Sequence, residues 1–259
     1  MQKEGLESKV ADTCWFLVPR DAILSLDEEF LSVIKLFHLP SVSSVCDLLL
    51  CSGAVISGSA ALALFFPGAF LPRDLDIYVA SYGAARVIAY LHDHAYRIDP
   101  LYSPGAGIYD NGAVVFKLSH EWSTTEINVV IYREDNFVNH IAKFHSTIVM
   151  NYVSWYGLVC LYPNWTLQKK GLITVDNLVS RPCIKKYENR GFVLLSDNKE
   201  VAGPSSAHIC GMTAECPETT RDLHDDGCAF QPFEGHRQML AAYETAFTWN
   251  LPGTCTYST

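Results

Sequence analysis

Apolar and polar positions along the chain fall into short blocks whose period alternates between that of a helix and that of a strand. DEEFLSVIKLFHLP (27–40) has apolar residues at helical spacing, with Asp27, Glu28 and Glu29 suited to the positive N-terminal end and Pro40 as a stop. SVSSVCDLLLCSG (41–53) predicts a second helix with serine caps and Gly53 at its exit. AVIS (54–57) is a short buried strand that runs into Gly58-Ser59, and AALALFF (60–66) reads as the helix that follows. LDIYVA (75–80) is a second strand and GAARVIAYLHDHAY (83–96) a third substantial helix. AVVFKLSH (113–120) and EINVVIY (126–132) are two further strands joined by a polar turn.

Downstream the pattern is less decisive. NFVNHIAKF (136–144) predicts a short helix, whereas HSTIVMNYVSWYGLVCLYP (145–163) fits either a buried helix or a pair of strands. DNLVSRPCIKKYENRGF (176–192) is expected to be helical in parts, broken at Pro182 and ended by Gly191. SDNKEVAGPSSA (196–207) reads as a polar linker. HRQMLAAYETAF (236–247) predicts a terminal helix. The expected division is an N-terminal helical segment (1–52) packed on a core (53–195), then a linker and a tail bearing cysteine and histidine (196–259).

Composition narrows the class of protein. The 259 residues are 49% hydrophobic and 18% charged, a globular rather than a disordered balance. A formal net charge of −9 argues against a broad basic surface that coats nucleic acid. MQKEGLESKV lacks the apolar run of a signal peptide, and no apolar segment reaches transmembrane length, so no membrane partner is expected. The nine cysteines have no regular spacing, and the expectation is reduced thiols in an intracellular, cytoplasmic protein.

The candidate chemistry lies between Val55 and Val79. Alternate residues of a strand share a face, so Asp74 and Asp76 point the same way at the start of their strand. Two carboxylates so close repel one another unless a cation lies between them, and magnesium prefers such oxygen ligands. Gly58 lets backbone approach a phosphate, while Ser59 offers donors from backbone and hydroxyl. Arg73, just before the carboxylates, can contact a phosphate or face solvent. A phosphate cradle beside a metal-binding pair suits phosphoryl or nucleotidyl transfer.

The segment "ISGSAAL … RDLDIYV" resembles the signature of the nucleotidyltransferase superfamily, which includes DNA polymerase beta, CCA-adding enzymes and small bacterial nucleotidyltransferases. That resemblance implies an α/β (α+β) fold: a nucleotidyltransferase-type mixed sheet flanked by helices, with a helical or irregular C-terminal portion. It implies that Gly58 and Ser59 hold the triphosphate and that Asp74 and Asp76 bind two magnesium ions. It also implies that a third carboxylate on a later strand helps activate the attacking hydroxyl. Residues 60–73 separate Ser59 from Asp74, at or slightly beyond the family's spacing.

The third position departs from the pattern. INVVI places Asn128 where the family has an aspartate, and an amide cannot act as a base at neutral pH. Glu126 lies two residues earlier on the same face, displaced by ~6.6 Å at the ordinary strand rise, so either Asn128 or, with a displaced metal site or a bulged strand, Glu126 takes the third position. The expected function is therefore metal-dependent transfer of a nucleoside monophosphate from a nucleoside triphosphate to an acceptor hydroxyl. The acceptor would be RNA, protein or a small molecule. The alternative is a catalytically degenerate protein of the same fold that binds a nucleotide or a protein. The later segment, 144–172, resembles a group of uncharacterised fungal proteins built on that fold, which implies no substrate.

Other chemistry-bearing residues carry less. Tyr152, Trp155 and Tyr156 can offer a stacking face and Lys169-Lys170 a phosphate contact, although a core element explains the segment better. His92 and His94, at i and i+2 of a helix, do not share a face and read as surface residues. The tail holds His208, Cys210, Cys216, His224 and Cys228, enough ligands for a tetrahedral zinc site. Without a tight Cys-x2-Cys knuckle, buried free thiols are the expectation there and zinc is not. Arg221 is expected to pair with a nearby acid.

Overall fold

A computed structural model describes residues 25–99, 113–133, 136–202, 208–235 and 247–255. The predicted terminal helix falls almost wholly on residues 236–246 and lies outside them. Two helices open the described chain. In α1 (Leu26–Leu36) the Ser25 hydroxyl accepts from the Glu28 amide while the Glu28 carboxylate accepts from the Ser25 amide, a reciprocal cap that satisfies two donors at the helix start. In α2 (Val42–Ser52) Ser41 caps the Ser44 amide, and Gly53 ends the helix with a left-handed φ of 65°.

The expected strand–turn–helix–strand order follows: β1 (Val55–Ser57), α3 (Gly58–Ala63), β2 (Asp74–Ala80) and α4 (Ser81–Asp93). Then come β3 (Tyr96–Ile98), β4 (Val114–His120), β5 (Glu126–Tyr132) and α5 (Val138–Ile141). The ambiguous stretch 145–163 resolves into a 3-10 turn (Thr147–Val149) and two strands, β6 (Asn151–Ser154) and β7 (Gly157–Cys160), with α6 (Pro163–Thr166) beginning at its end. β8 (Lys170–Leu172), α7 (Arg181–Glu188), β9 (Val193–Leu195), α8 (Asn198–Ala202) and β10 (Ala229–Pro232) are the remaining elements among the described residues.

Two expectations change here. Pro182 does not break a helix but lies in the first turn of α7, where its missing N–H costs no intrahelical bond. The stretch read as a linker contains α8, which buries Val201 to 1% exposure.

Eight strands form one mixed sheet in the order β10-β7-β6-β1-β2-β5-β4-β3, and β8 and β9 form a small parallel pair. This is the expected α+β class: a mixed sheet flanked by helices. In the main sheet β2 and β5 run parallel, and the neighbouring strand pairs run antiparallel. Leu75, Ile77 and Val79 of β2, with Ile127 and Val129 of β5, face a core shared with α1, α2 and α4. Tyr78, Ala80, Val130 and Tyr132 face a second core with Phe137, Ile141, Tyr152 and Trp165. Both faces of the sheet are thus packed along most of its length. The start of β2 is where polar side chains take over the second face. On the first face α2 and α4 approach so closely that a Cβ on Gly83 would come within 2.1 Å of the Ser52 carbonyl oxygen.

The C-terminal portion is tied to the rest of the chain through β10 and through Arg221, among other contacts. β10 pairs with β7 through Phe230↔Val159 and Gln231↔Leu158. Arg221, 1% exposed, donates to the Asp225 carboxylate and to the carbonyls of Ala214 and Leu161, and its guanidinium lies over the rings of Tyr162 and Trp249. The expected pairing of Arg221 with an acid is therefore met by Asp225. Burial alone would raise the Asp225 carboxyl, but the guanidinium holds it below the ordinary carboxylate range.

Candidate functional site

Asp74 and Asp76 converge with the Gly58-Ser59 turn because β1 and β2 are antiparallel neighbours. Ser57, the last residue of β1, lies opposite Asp76, so the turn that leaves β1 passes over the start of β2. Gly58 has φ 69°, a left-handed conformation that favours glycine. A Cβ there would lie 2.5 Å from Oδ2 of Asp76, so the missing side chain is also what admits the carboxylate. Ser59 donates its hydroxyl to Oδ1 of Asp74 at 3.0 Å. Both carboxylates are half-buried, whereas Ser59 is 1% exposed.

β5 supplies the next position. Its parallel register sets Glu126 beside Asp74 and Asn128 beside Asp76. Asn128 donates from Nδ2 to Oδ1 of Asp76 at 2.8 Å, so the amide occupies the place next to the carboxylate pair. Glu126, the other candidate for a third acid, turns the opposite way: its carboxylate accepts from Lys117 of β4 at 2.6 Å. A substitute acid is therefore neutralised by a lysine rather than aimed at the pair. Arg73 is exposed at the entry to β2.

Burial, then the negative charge of Asp74, push the Asp76 carboxyl up to about 7; the Asn128 hydrogen bond and the positive charge of Lys186 act in the opposite direction. Lys186 belongs to α7, and the same helix sets Cys183 and Tyr187 within electrostatic reach of both carboxylates. Burial and the nearby Lys186 also bring the His145 imidazole down to about 4, with its ring 5.8 Å from that of Tyr187. α7 thus contributes a cation to the pocket. The pair Lys185-Lys186 is visible in sequence on a predicted helix, but only the fold brings Lys186 toward Asp76.

The other candidates have structural settings. Tyr152 and Tyr156 are 0% exposed, packed against Phe137 and Phe230 respectively, as the favoured core reading has it, and of the alternative stacking face only the half-buried Trp155 is left. Lys169 lies over the ring of Phe66. Asn151 donates to the Ile148 carbonyl and Thr147 accepts from the Leu172 amide, both as buried supports of the backbone. His92 is exposed, and His94 bonds the Tyr90 carbonyl. In the tail, His208, Cys210 and Cys216 converge with Cys255, and not with His224 or Cys228.

The oxygen-rich donor set at the start of β2 fits a hard divalent cation: two carboxylates on one face, with a serine hydroxyl against one of them. Asp74 and Asp76 would hold such an ion. No protein-family model matches the chain, and no curated protein matches it in sequence. No helix among the described residues is long and apolar enough to cross a membrane.

Proposed function

We propose that the chain binds a nucleoside triphosphate with magnesium and transfers its nucleoside monophosphate part to an acceptor hydroxyl. The observation that carries this reading is the closure of the Gly58-Ser59 turn on the Asp74 and Asp76 carboxylates. The sequence resemblance to nucleotidyltransferases supports the same assignment of these four residues. Magnesium held there would neutralise charge on the triphosphate and on departing pyrophosphate. Asp74 and Asp76 supply the ligands, and the Ser59 hydroxyl orients Asp74. Backbone at Gly58 approaches phosphate without a Cβ in the way. Lys186, whose positive charge acts on Asp76, would offset part of the charge of a polyphosphate there.

Asn128 favours a second reading. It offers no base for an acceptor hydroxyl, and Glu126 is engaged by Lys117, so the same pocket would hold magnesium and nucleotide without turning them over. Calorimetric titration of ATP, GTP, CTP and UTP with and without magnesium tests the shared part. Pyrophosphate release in the presence of RNA, protein or small-molecule acceptors tests transfer. Magnesium-dependent binding lost in the Asp74→Ala/Asp76→Ala double variant, together with turnover, supports the enzyme. Binding without turnover supports the second reading. Binding that is indifferent to both substitutions removes both.

A further inference from the structure

We propose that the C-terminal portion carries a structural zinc site whose ligands are Nε2 of His208 and the thiolates of Cys210, Cys216 and Cys255. One ligand atom from each of these four residues lies within 4.8 Å of every other. Sγ of Cys255 is 3.2 Å from Nε2 of His208, and the sulfurs of Cys210 and Cys216 are 3.9 Å apart. Tetrahedral zinc, with bonds of about 2.3 Å to sulfur and about 2.0 Å to nitrogen, requires separations of about 3.8 Å between two sulfurs and about 3.5 Å between sulfur and nitrogen. Those two separations already match such edges, and the remaining ones need close by no more than about 1 Å.

Three thiols and one imidazole, with no carboxylate among them, are the donors that borderline-soft zinc selects over magnesium or calcium. None of the three cysteines is in a disulfide. Cys216 is 0% exposed and Cys255 6%, while Cys210 is exposed and His208 half-buried, so the site is reached from one side. The Gly211 amide points at Sγ of Cys216 from 3.5 Å, a donor that offsets thiolate charge and fixes the ligand's direction. Four protein ligands leave no open position, which marks a structural rather than a catalytic ion.

The surroundings supply a reason for such an ion. Residues 208–228 contain no described helix or strand and are held by turns, by the buried Arg221 and by its antiparallel bridge to Trp249. A loop-built unit of this size buries too little apolar surface to hold itself and is commonly stapled by metal or disulfide. Zinc would clip the loop at 208–216 to the segment 247–255 through Cys255. Trp249 and Leu251, both buried, lie just before that clip. The site is independent of the carboxylates at the start of β2, and a chain altered at Asp74 and Asp76 keeps its zinc.

The test is the metal content of the full chain, purified without chelator and measured by mass spectrometry of the elements. The expected result is one zinc per chain, falling below about a tenth of an equivalent in Cys216→Ser and Cys255→Ser and unchanged in Cys46→Ser and Cys51→Ser. Should the buried-thiol variants not fold, the exposed-thiol variant Cys210→Ser and cobalt substitution of the wild-type chain carry the test. Cobalt is then expected to give thiolate charge-transfer absorption and tetrahedral ligand-field bands, both diminished in Cys210→Ser. A chain isolated from zinc-supplemented cells with less than about a tenth of an equivalent would overturn the proposal. So would zinc retained in all three ligand variants, or a Cys210–Cys216 disulfide in the protein as isolated.

Discussion

Replacing Asp76 by asparagine separates a site that awaits a cation from a carboxylate that merely supports the fold. In the metal-free protein Asp76 is held near 7 from an ordinary value of 3.8, because burial and the neighbouring Asp74 both oppose its charge. Between those two values the folded chain keeps a proton that the unfolded chain has released. Stability contributed by the protonated form is therefore full below about 4 and is lost as pH rises through about 7. At 1.36 kcal/mol per unit, a shift of about three units sets a ceiling of about 4 kcal/mol on the penalty at pH 8. Asp76 retains some solvent contact, and screening brings the expected effect to about 1–2 kcal/mol. Asp76→Asn removes the charge while its carbonyl still accepts from Asn128. Urea denaturation of the metal-free proteins should thus find the variant more stable than wild type by about 1–2 kcal/mol at pH 8, with the difference shrinking as pH falls and vanishing below about pH 4. Added magnesium should close most or all of that gap. At a site of millimolar affinity, 10 mM magnesium stabilises wild type by about 1.4 kcal/mol and leaves the variant unchanged. A variant less stable than wild type at pH 8 without metal, or equally stabilised by magnesium, would refute this reasoning.

Three further substitutions probe the same architecture. Gly58→Ala should cost about 2–3 kcal/mol in urea denaturation, since a left-handed φ opposes a Cβ and that Cβ would crowd Oδ2 of Asp76; it should also weaken magnesium-dependent nucleotide binding more than tenfold. Wild-type stability and affinity in this variant would separate the turn from the carboxylates. Asn128→Asp adds a like charge beside Asp76, so the metal-free chain should lose about 1–3 kcal/mol at pH 8 while magnesium binds more tightly, read by denaturation with and without the ion. A rise in pyrophosphate release in that variant would mark asparagine as the block to transfer. Arg221→Ala leaves Asp225 and two carbonyls without their buried donor and should cost about 3–5 kcal/mol; a loss below about 1 kcal/mol would contradict its role in holding the C-terminal portion.

What sequence could reveal followed the range of the interactions. The turn at Gly58-Ser59 and the shared face of Asp74 and Asp76 are local consequences of a strand's period, and both were legible. So was the two-residue offset of Glu126, which left it as an alternative to Asn128 at the third position; its engagement by Lys117 was not legible, since that depends on which strand lies beyond β5. Residues 145–163 read equally as helix or strands because β6 and β7 are buried on both faces and lose the alternation that marks a half-exposed strand. β8, β9 and β10, each three or four residues long, exist through pairings with distant partners and leave almost no local trace. The cysteine cluster shows the same limit. His208, Cys210 and Cys216 stood out as a group, but their fourth member is Cys255, brought in by the chain's return alongside Arg221 rather than by any short spacing. Lys186 was hidden for the corresponding reason, a cation on one element whose effect is felt at another.

The most direct test of the carboxylate pocket is a crystal structure of the full chain grown with manganese and a non-hydrolysable nucleoside triphosphate, using anomalous scattering to locate the metal. The account predicts a manganese ion bonded to carboxylate oxygens of both Asp74 and Asp76 at about 2.1–2.2 Å, with phosphate oxygens against backbone at Gly58 and Ser59 and with Lys186 turned toward them. Manganese bound elsewhere, or nucleotide density away from the Gly58-Ser59 turn, would contradict it.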